Sequence, residues 1–449
     1  MGGTTQPASG GPQAPLPGAR SALVLLLLIN LFNYIDRQVL AAVEPNIRAE
    51  FFPVEDDLTK FWMGLLQFAF MVTYMLASPV FGVLAERYRR WSLVAIGVAV
   101  WTLASGGSGL ATAFVLLLLT RCLVGVGEGA YGPVAPAVIS DLYPVRTRGK
   151  VLAWFYAAIP VGSALGYTLG GQIAGTSLGW RWAFYVVVPP GVLLAILCLL
   201  MPEPRRGQAD AAPLPPDSLP AGQPTSPAAE PPRLRWAGYR VLLQTRSYVL
   251  CTLGMTAMSF ALGGMAYWMS AYLKYKNVEP LWGKIEPVTA FGAISALAGL
   301  VATLAGGIAG DALKPRFGGS YFLVSGIAML VAFPFILLFL HTPFPAAWIV
   351  LSVVVFCLFF NTGPTNTILA NVTHPSIRAA AFGLNILIIH LFGDASSPFI
   401  LGLIIGKEER FKLGFIVVSV LVLVGGLLWL WGMRDLQRDT DLAPHRIAG

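Results

Sequence analysis

Gly82-Val83-Leu84-Ala85-Glu86-Arg87-Tyr88-Arg89-Arg90 stands between two apolar runs, residues 61–85 and 92–112. At about 1.5 Å of rise per residue, each run can cross roughly 30 Å of hydrocarbon as a helix. Between them a glycine, one acid and three arginines form a turn too charged to lie anywhere but at a membrane surface. The same unit of apolar run and short turn recurs along the chain. Ten more apolar windows cover residues 20–43, 114–141, 150–174, 181–201, 247–274, 287–312, 320–340, 346–371, 379–405 and 412–433. The predicted class is an all-α membrane protein with twelve transmembrane helices. Composition agrees: 56% of the 449 residues are hydrophobic and 12% charged, against about 25% charged in a soluble domain.

A net charge of +8 invites a nucleic-acid reading, but the placement of the basic residues assigns it to topology. Nineteen of the 30 Lys and Arg fall in even-numbered loops and the two tails, nine in odd-numbered loops, and only Arg37 and Arg121 inside spans. By the positive-inside rule both termini are cytoplasmic, and the short loops fit a multi-pass protein of a bacterial inner membrane. Residues 1–18, rich in Gly, Pro, Ala and Gln, read as a disordered cytoplasmic tail. They lack the charged start of a signal peptide, so the first span is expected to remain as helix one. Ten prolines between Pro202 and Pro232 mark residues 202–246 as a flexible cytoplasmic linker, ending in a basic stretch (Arg233 to Arg246) that lies along the membrane. The linker separates residues 19–201 from residues 247–433, six windows each, and residues 434–449 form a second tail.

The halves echo each other. A shift of 231 residues brings Pro133 onto Pro364, Pro144 onto Pro375, Gly162 onto Gly393, Gly171 onto Gly402 and Gly175 onto Gly406. Two six-helix bundles related by a pseudo-twofold repeat are predicted, and parallel repeats of this kind place a substrate site near the midplane between them.

Charges at that depth are the chemical signal. Asn33-Tyr34-Ile35-Asp36-Arg37 interrupts the first window, and Arg121 and Glu128 interrupt the fourth. Each such charge costs roughly 2.5–3.5 kcal/mol on insertion scales. Asn33 and Arg37, four apart, share a helix face, while Asp36 and Arg37 point about 100° apart and must find partners on other helices. Arg121 and Glu128 lie two turns apart on one stripe, where Gly125 and Gly129 allow a neighbouring helix to come close. One reading makes Asp36 and Glu128 titrating carboxylates, Arg37 and Arg121 forked donors for an anionic headgroup, and Asn33 and Tyr34 orienting groups. The other is a structural salt-bridge cluster.

In the second half Asp394 follows His390 by four residues, either as a polar pair or as a packed histidine beside a helix kink. Asn361, Thr362, Asn366 and Thr367 form a polar run, with Asn361 a candidate substrate contact. Met255, Met258, Met265 and Met269, with Tyr267, Trp268 and Tyr272, suit either an adaptable surface for an acyl tail or core packing. The four cysteines show no paired spacing, and no phosphate-binding loop, zinc-protease helix or serine-nucleophile elbow is present, so no cofactor, metal or enzyme chemistry is expected.

The turn at Gly82–Arg90 has a degenerate counterpart in the second half, Gly306-Gly307-Ile308-Ala309-Gly310-Asp311-Ala312-Leu313-Lys314-Pro315-Arg316. Together they resemble the G-x-L-A-D/E-R-x-x-R-R signature of the major facilitator superfamily. In that reading Gly82 lets helices two and eleven approach, and Glu86, Arg87 and Arg90, with Asp141, form a cytoplasmic charge latch that breaks as the bundles rock. With Asn33-Tyr34-x-Asp36-Arg37 and Arg121-x-Leu123-Val124-Gly125-x-Gly127-Glu128-Gly129, the chain resembles the Spinster-like branch over nearly all its length outside the tails and linker. The resemblance implies export of a lysolipid or sphingosine-1-phosphate-type molecule, proton coupling in bacterial members, and a monomer. It implicates Asp36, Arg37, Arg121 and Glu128 in protonation and substrate binding. The expected partners are protons, an amphiphilic lipid or organic anion and the bilayer, and no nucleic acid. A carrier of a small organic anion (a hexuronate or sugar phosphate) or a drug is the alternative, and a non-transporting lipid receptor the second.

Overall fold

The computed structural model describes residues 14–53, 57–210, 236–406 and 410–446; the expected tail through residue 13 and the linker from 211 to 235 lie outside the described residues. Twelve helices are long and apolar enough to cross a membrane: α1 (Ala19–Phe51), α2 (Phe61–Arg87), α3 (Arg90–Gly109), α4 (Phe114–Leu142), α5 (Arg148–Ala174), α6 (Arg181–Leu200), α7 (Arg246–Tyr275), α8 (Pro287–Leu313), α9 (Ser320–Phe339), α10 (Ala347–Val372), α11 (Pro375–Ile405) and α12 (Phe411–Gly432). Each predicted window falls on one of them. Short helices precede α7 (Trp236–Gln244) and follow α12 (Leu436–Leu442).

Lipid tails are as apolar as leucine, so helices in a membrane associate by close backbone packing rather than by escape from water. Glycine supplies that closeness here. A Cβ on Gly162 would lie 2.6 Å from the Leu31 carbonyl, and one on Gly166 would lie 2.3 Å from that of Ile35, so α5 packs directly on the α1 backbone. Gly125 and Gly129 press α4 onto α2 in the same way. The repeat is visible in this packing. Gly393, the counterpart of Gly162, seats α11 on α7, where a Cβ would meet Ser259 Cβ at 2.8 Å. Pro133 and Pro364 mark equivalent breaks, α4 dividing into Phe114–Tyr131 and Val134–Leu142, α10 into Ala347–Phe359 and Thr362–Val372.

The bundles meet along α2 with α11 and α5 with α8. At one end they touch backbone to backbone: a Cβ on Gly82 would lie 2.7 Å from the Ala379 carbonyl, on Gly383 2.6 Å from that of Ser78, and on Gly307 2.6 Å from that of Gly149. That end carries the first and last described segments, since the Leu16 amide donates to the Leu142 carbonyl and Arg446 to that of Val372. At the other end a Cβ on Gly64 of α2, Gly171 of α5 or Gly292 of α8 would meet nothing within 4 Å. The bundles thus touch backbone to backbone at the basic end, while at the opposite end these three glycines face open space.

Gly166→Ala is expected to destabilise the first bundle by roughly 1–3 kcal/mol, the usual range for overpacking, read as a lower melting temperature in detergent by intrinsic fluorescence. Gly171→Ala on the same helix should leave melting unchanged or slightly raised. Equal losses in both would remove the α1–α5 contact as the cause.

Candidate functional site

Midway along α1 the chain places Asp36 and Arg37 on different faces, and each finds its partner on another helix. Arg37 turns to α4, where its Nε donates to Glu128 Oε2 at 2.6 Å and its Nη2 lies 2.5 Å from the same oxygen. Its guanidinium is 4.9 Å from the ring centres of Tyr34 and Phe70 and 4.8 Å from that of Tyr74. Three aromatic faces hold the cation by its quadrupole attraction and fix its plane. Asp36 turns to α3 and accepts from the Ser105 hydroxyl. Arg121 lies near Asp36 but, among the described residues, forms no ion pair with it; its Nη2 donates to Ser108 Oγ at 2.5 Å and its guanidinium lies 5.4 Å from the Phe184 ring centre. Asn33 lies beside Glu128. The four charged groups are thus together but unequal in access. The Arg37 side chain is 15% exposed, whereas Asp36, Arg121 and Glu128 are 1–2% exposed inside the first bundle. Asp36 Oδ2, Arg121 Nε, Glu128 Oε1 and Asn33 Nδ2 are buried without a hydrogen-bond partner, a concentration of unsatisfied polar atoms that folded proteins rarely keep.

The second bundle reaches this cluster through one ring. The Tyr74 ring that faces Arg37 meets the His390 ring edge-on at 5.4 Å, and His390 Nδ1 lies 2.8 Å from Asp394 Oδ1. The pair sits on a π-helical turn, His390–Asp394, kinked at Gly393 (φ −106°, ψ −107°), so the polar pair and the kink predicted as alternatives coexist. Asn361 stands apart from the cluster: it is buried at the break in α10 and its Nδ2 donates to the Cys357 carbonyl at 2.9 Å. Its neighbour Asn366 does reach the first bundle, accepting from the Tyr156 hydroxyl at 2.8 Å. The methionines of α7 are core, not surface. Met255, Met258, Met265 and Met269 are 0–6% exposed because α7 turns that face onto α12 and the rest of its own bundle, and only Tyr267 stays open.

At the basic end a second charged network forms. Arg90 pairs with Asp141, whose Oδ1 accepts from Arg378 Nη1 at 2.6 Å, joining α3 and α4 to α11. Gly82 permits the approach of α2 to α11, as expected. Glu86 is buried but pairs with no cation among the described residues, and Arg87 points to solvent. Glu86, in the last turn of α2, lies beside Arg206, which donates to the Ala85 carbonyl at 2.7 Å. Acids from beyond α6 take part instead: Glu203 accepts from Arg90 at 2.7 Å, and Asp210 accepts from Arg148 at 2.6 Å and Arg378 at 2.7 Å.

Sequence reasoning missed Phe70, Tyr74, Ser105, Arg148, Arg378, Glu203 and Asp210 as members of these networks. Two signals were present. Phe70 and Tyr74 are four apart on α2, and Arg148 and Arg378 follow the repeated prolines Pro144 and Pro375 at offsets of four and three. Nothing in the proline-rich composition around Asp210 distinguishes it.

Residues 26–398 match the Major Facilitator Superfamily. Protein spinster homolog 3 of Danio rerio is 35% identical over 456 aligned residues, 95% of this chain and 87% of that protein. Protein spinster homolog 1 of Homo sapiens is 36% identical over 413, 88% of this chain and 74% of that one. A bacterial homologue of the human lysosomal transporter Spinster, in an inward-facing and unoccupied conformation, shares the fold with a TM-score of 0.63 at 19% identity, covering 95% of this chain and 99% of that chain. The human organic anion transporter MFSD10 superposes with a TM-score of 0.73 at 17% identity, covering 92% and 100%. Identity above 30% across nearly the whole chain and a superfamily match spanning both bundles give one conclusion: the chain belongs to the Spinster-like branch of the major facilitator superfamily and is a transporter, not an enzyme.

Proposed function

We propose that this transporter couples proton movement to the passage of an amphiphilic anion, a lysophospholipid or sphingosine-1-phosphate-like lipid, by alternating access. The observation that carries the reading is Arg37: part-exposed where the two bundles meet, caged by three rings and neutralised by one buried carboxylate. With Glu128 ionised the pair is neutral and attracts no anion. Protonating Glu128 leaves the guanidinium without its counter-charge, a change worth about 4 kcal/mol at 4 Å and an effective dielectric of 20. That exceeds the one or two hydrogen bonds at stake, so protonation decides whether Arg37 is available. The freed fork then takes two oxygens of a phosphate or carboxylate, and the rings keep it oriented. Asp36, against Ser105 and near Arg121, is the second titrating acid behind it.

The apolar part of the substrate occupies the open side. There a cavity of about 680 Å³ lies between the outer ends of α7 and α8, lined by Tyr267, Trp268, Leu273, Val278 and Lys274, a mixture suited to a tail with a charged head. By the positive-inside rule the basic end is cytoplasmic, so the end where the bundles touch backbone to backbone faces the cytoplasm. The bacterial Spinster homologue captured inward-facing supports a cycle in which that end opens.

Lys314 opposes closure. Its Nζ donates to the Val145 carbonyl of the first bundle at 3.2 Å, and burial, then Arg148, bring its pKa down to about 8. A base with a lowered pKa penalises the shut state fully below about 8. The penalty fades as pH rises from there towards the ordinary lysine value of about 10.4. Shut molecules should therefore gain population between pH 8 and 10, measured by cysteine accessibility at the basic end, and Lys314→Gln should abolish that dependence.

The coupling is tested in sealed proteoliposomes with a labelled lysophospholipid and a labelled small organic anion, with and without a pH gradient. Arg37→Ala and Asp36→Asn are expected to lower lysolipid transport tenfold or more. Glu128→Gln, fixed in the neutral form, should bind lysolipid but lose gradient-driven accumulation. Accumulation surviving in Glu128→Gln would end the proton assignment. Transport of the small anion alone would replace the substrate, and lysolipid binding without transport by the wild type would make the protein a receptor.

A further inference from the structure

Arg90, Arg148 and Arg378 converge at the basic end, 2%, 0% and 2% exposed. Among the described residues the only helix acid that pairs with any of them is Asp141, with Arg90 and Arg378. Three arginines out of water against one carboxylate is an imbalance that a membrane protein does not keep, because each unpaired buried ion carries a heavy desolvation cost. The balance comes from the segment that follows α6. Glu203 accepts from Arg90 and from the Trp91 amide, and the Pro204 carbonyl accepts from Arg90 Nη2 at 2.6 Å. Gly207 turns with φ +68°, its amide donating to Asp141 Oδ1 at 2.9 Å, and the Ala209 amide donates to the Asp141 carbonyl. A Cβ on Gly207 would strike Pro375 of α11 at 2.8 Å, so only glycine brings the strap this close to the second bundle. The segment ends with Asp210 between Arg148 of α5 and Arg378 of α11, one carboxylate oxygen on each.

We propose that Glu203–Asp210, the beginning of the linker between the bundles, is a working part of the gate, and that Asp210 is a positioning residue that holds the basic end shut by bridging the two bundles. The distinction between its two acids follows from their partners. Among the described residues the hydrogen-bond partners of Glu203, Arg90 and the Trp91 amide, belong to the first bundle, so it moves with that bundle. Asp210 spans both, so the basic end opens only when one of its two ion pairs breaks. Burial alone would raise the Asp210 carboxyl, but Arg148 and then Arg378 outweigh it and hold it well below the usual carboxylate range. A depressed acid lends its stabilisation above its ordinary pKa and loses it only as pH falls through the lowered one. The bridge therefore stays charged throughout the neutral range and is released by movement rather than by titration. A segment expected to be flexible linker becomes a strap that sets how long the basic end stays closed.

The proposal rests on alternating access but not on the identity of the substrate, and the test separates the two. Spin labels at Tyr88→Cys and Arg316→Cys, exposed on the basic end of opposite bundles, report its opening by distance measurement in full-length protein in nanodiscs, with Cys122 replaced by serine. Asp210→Asn should raise the population with the long distance about tenfold or more relative to wild type. Asp210→Glu should restore most of the wild-type distribution, and Glu203→Gln should shift it clearly less. A wild-type distribution in Asp210→Asn, or an equal shift in Glu203→Gln, would overturn the strap. A wild type that never populates the long distance at any pH or lysolipid concentration, with Asp210→Asn opening, would keep the strap and count against alternating access.

Discussion

A charged side chain in the interior of a membrane protein cannot fall back on water, so another charge or dipole has to hold it. Asp36, Arg121, Glu128, Asp141, Arg148 and Arg378 are all 2% exposed or less, and the positions of the helices around them follow from the need to match them. Arg37 obliges α4 to present Glu128, and the glycines of α4 let α2 come near enough to wrap Phe70 and Tyr74 around the guanidinium. At the basic end the same requirement draws a stretch of linker under the bundles. Packing by small residues makes the approach possible, and charge decides which approach occurs.

The two networks differ in what breaks them. Arg37 and Glu128 both belong to the first bundle, so rocking the bundles leaves their separation unchanged; in the proposed cycle a proton or a competing anion releases that pair. Asp141 and Asp210 reach across to Arg378, so rocking must rupture them. One network responds to chemistry and the other to movement. They share a single rigid element. Tyr74 of the cage and Gly82 of the seal lie eight residues apart on α2, about 12 Å along one helix.

Much of this was legible in the sequence, for identifiable reasons. Span positions follow from hydrophobic length, which the bilayer imposes directly. Asp36, Arg37, Arg121 and Glu128 stood out because a charge at mid-membrane needs a reason, and the geometry of a helix was enough to show that Asp36 and Arg37 had to separate. What stayed hidden depended on tertiary proximity. Glu86 has the right type and place in the turn, yet Asp141 is the acid that Arg90 finds, because a side chain at the start of α3 points to the end of α4 rather than back along α2. The α7 methionines are indistinguishable in sequence from a lining surface, and only the packing of α7 on α12 shows them to be core. Asp210 sits in a low-complexity segment whose composition signals an absence of structure, and no local pattern records that two arginines from different bundles wait beneath it.

The networks also show why the halves are unequal despite their common ancestry of form. The repeat preserved what packing needs, Gly162 with Gly393 and Pro133 with Pro364, but not the mid-span charges, which on the second side reduce to His390 and Asp394. A carrier with arginines on both bundles would clamp an anionic head from two sides and have to release it from both in every cycle. In the proposed cycle the head has one anchor, Arg37, and the opposing bundle offers the His390 ring, edge-on to Tyr74. Binding to one bundle leaves the other free to pivot around the substrate. In that reading the tail, which needs volume rather than direction, is left to the more apolar side. Concentrating charge in one half thus separates holding the substrate from moving past it.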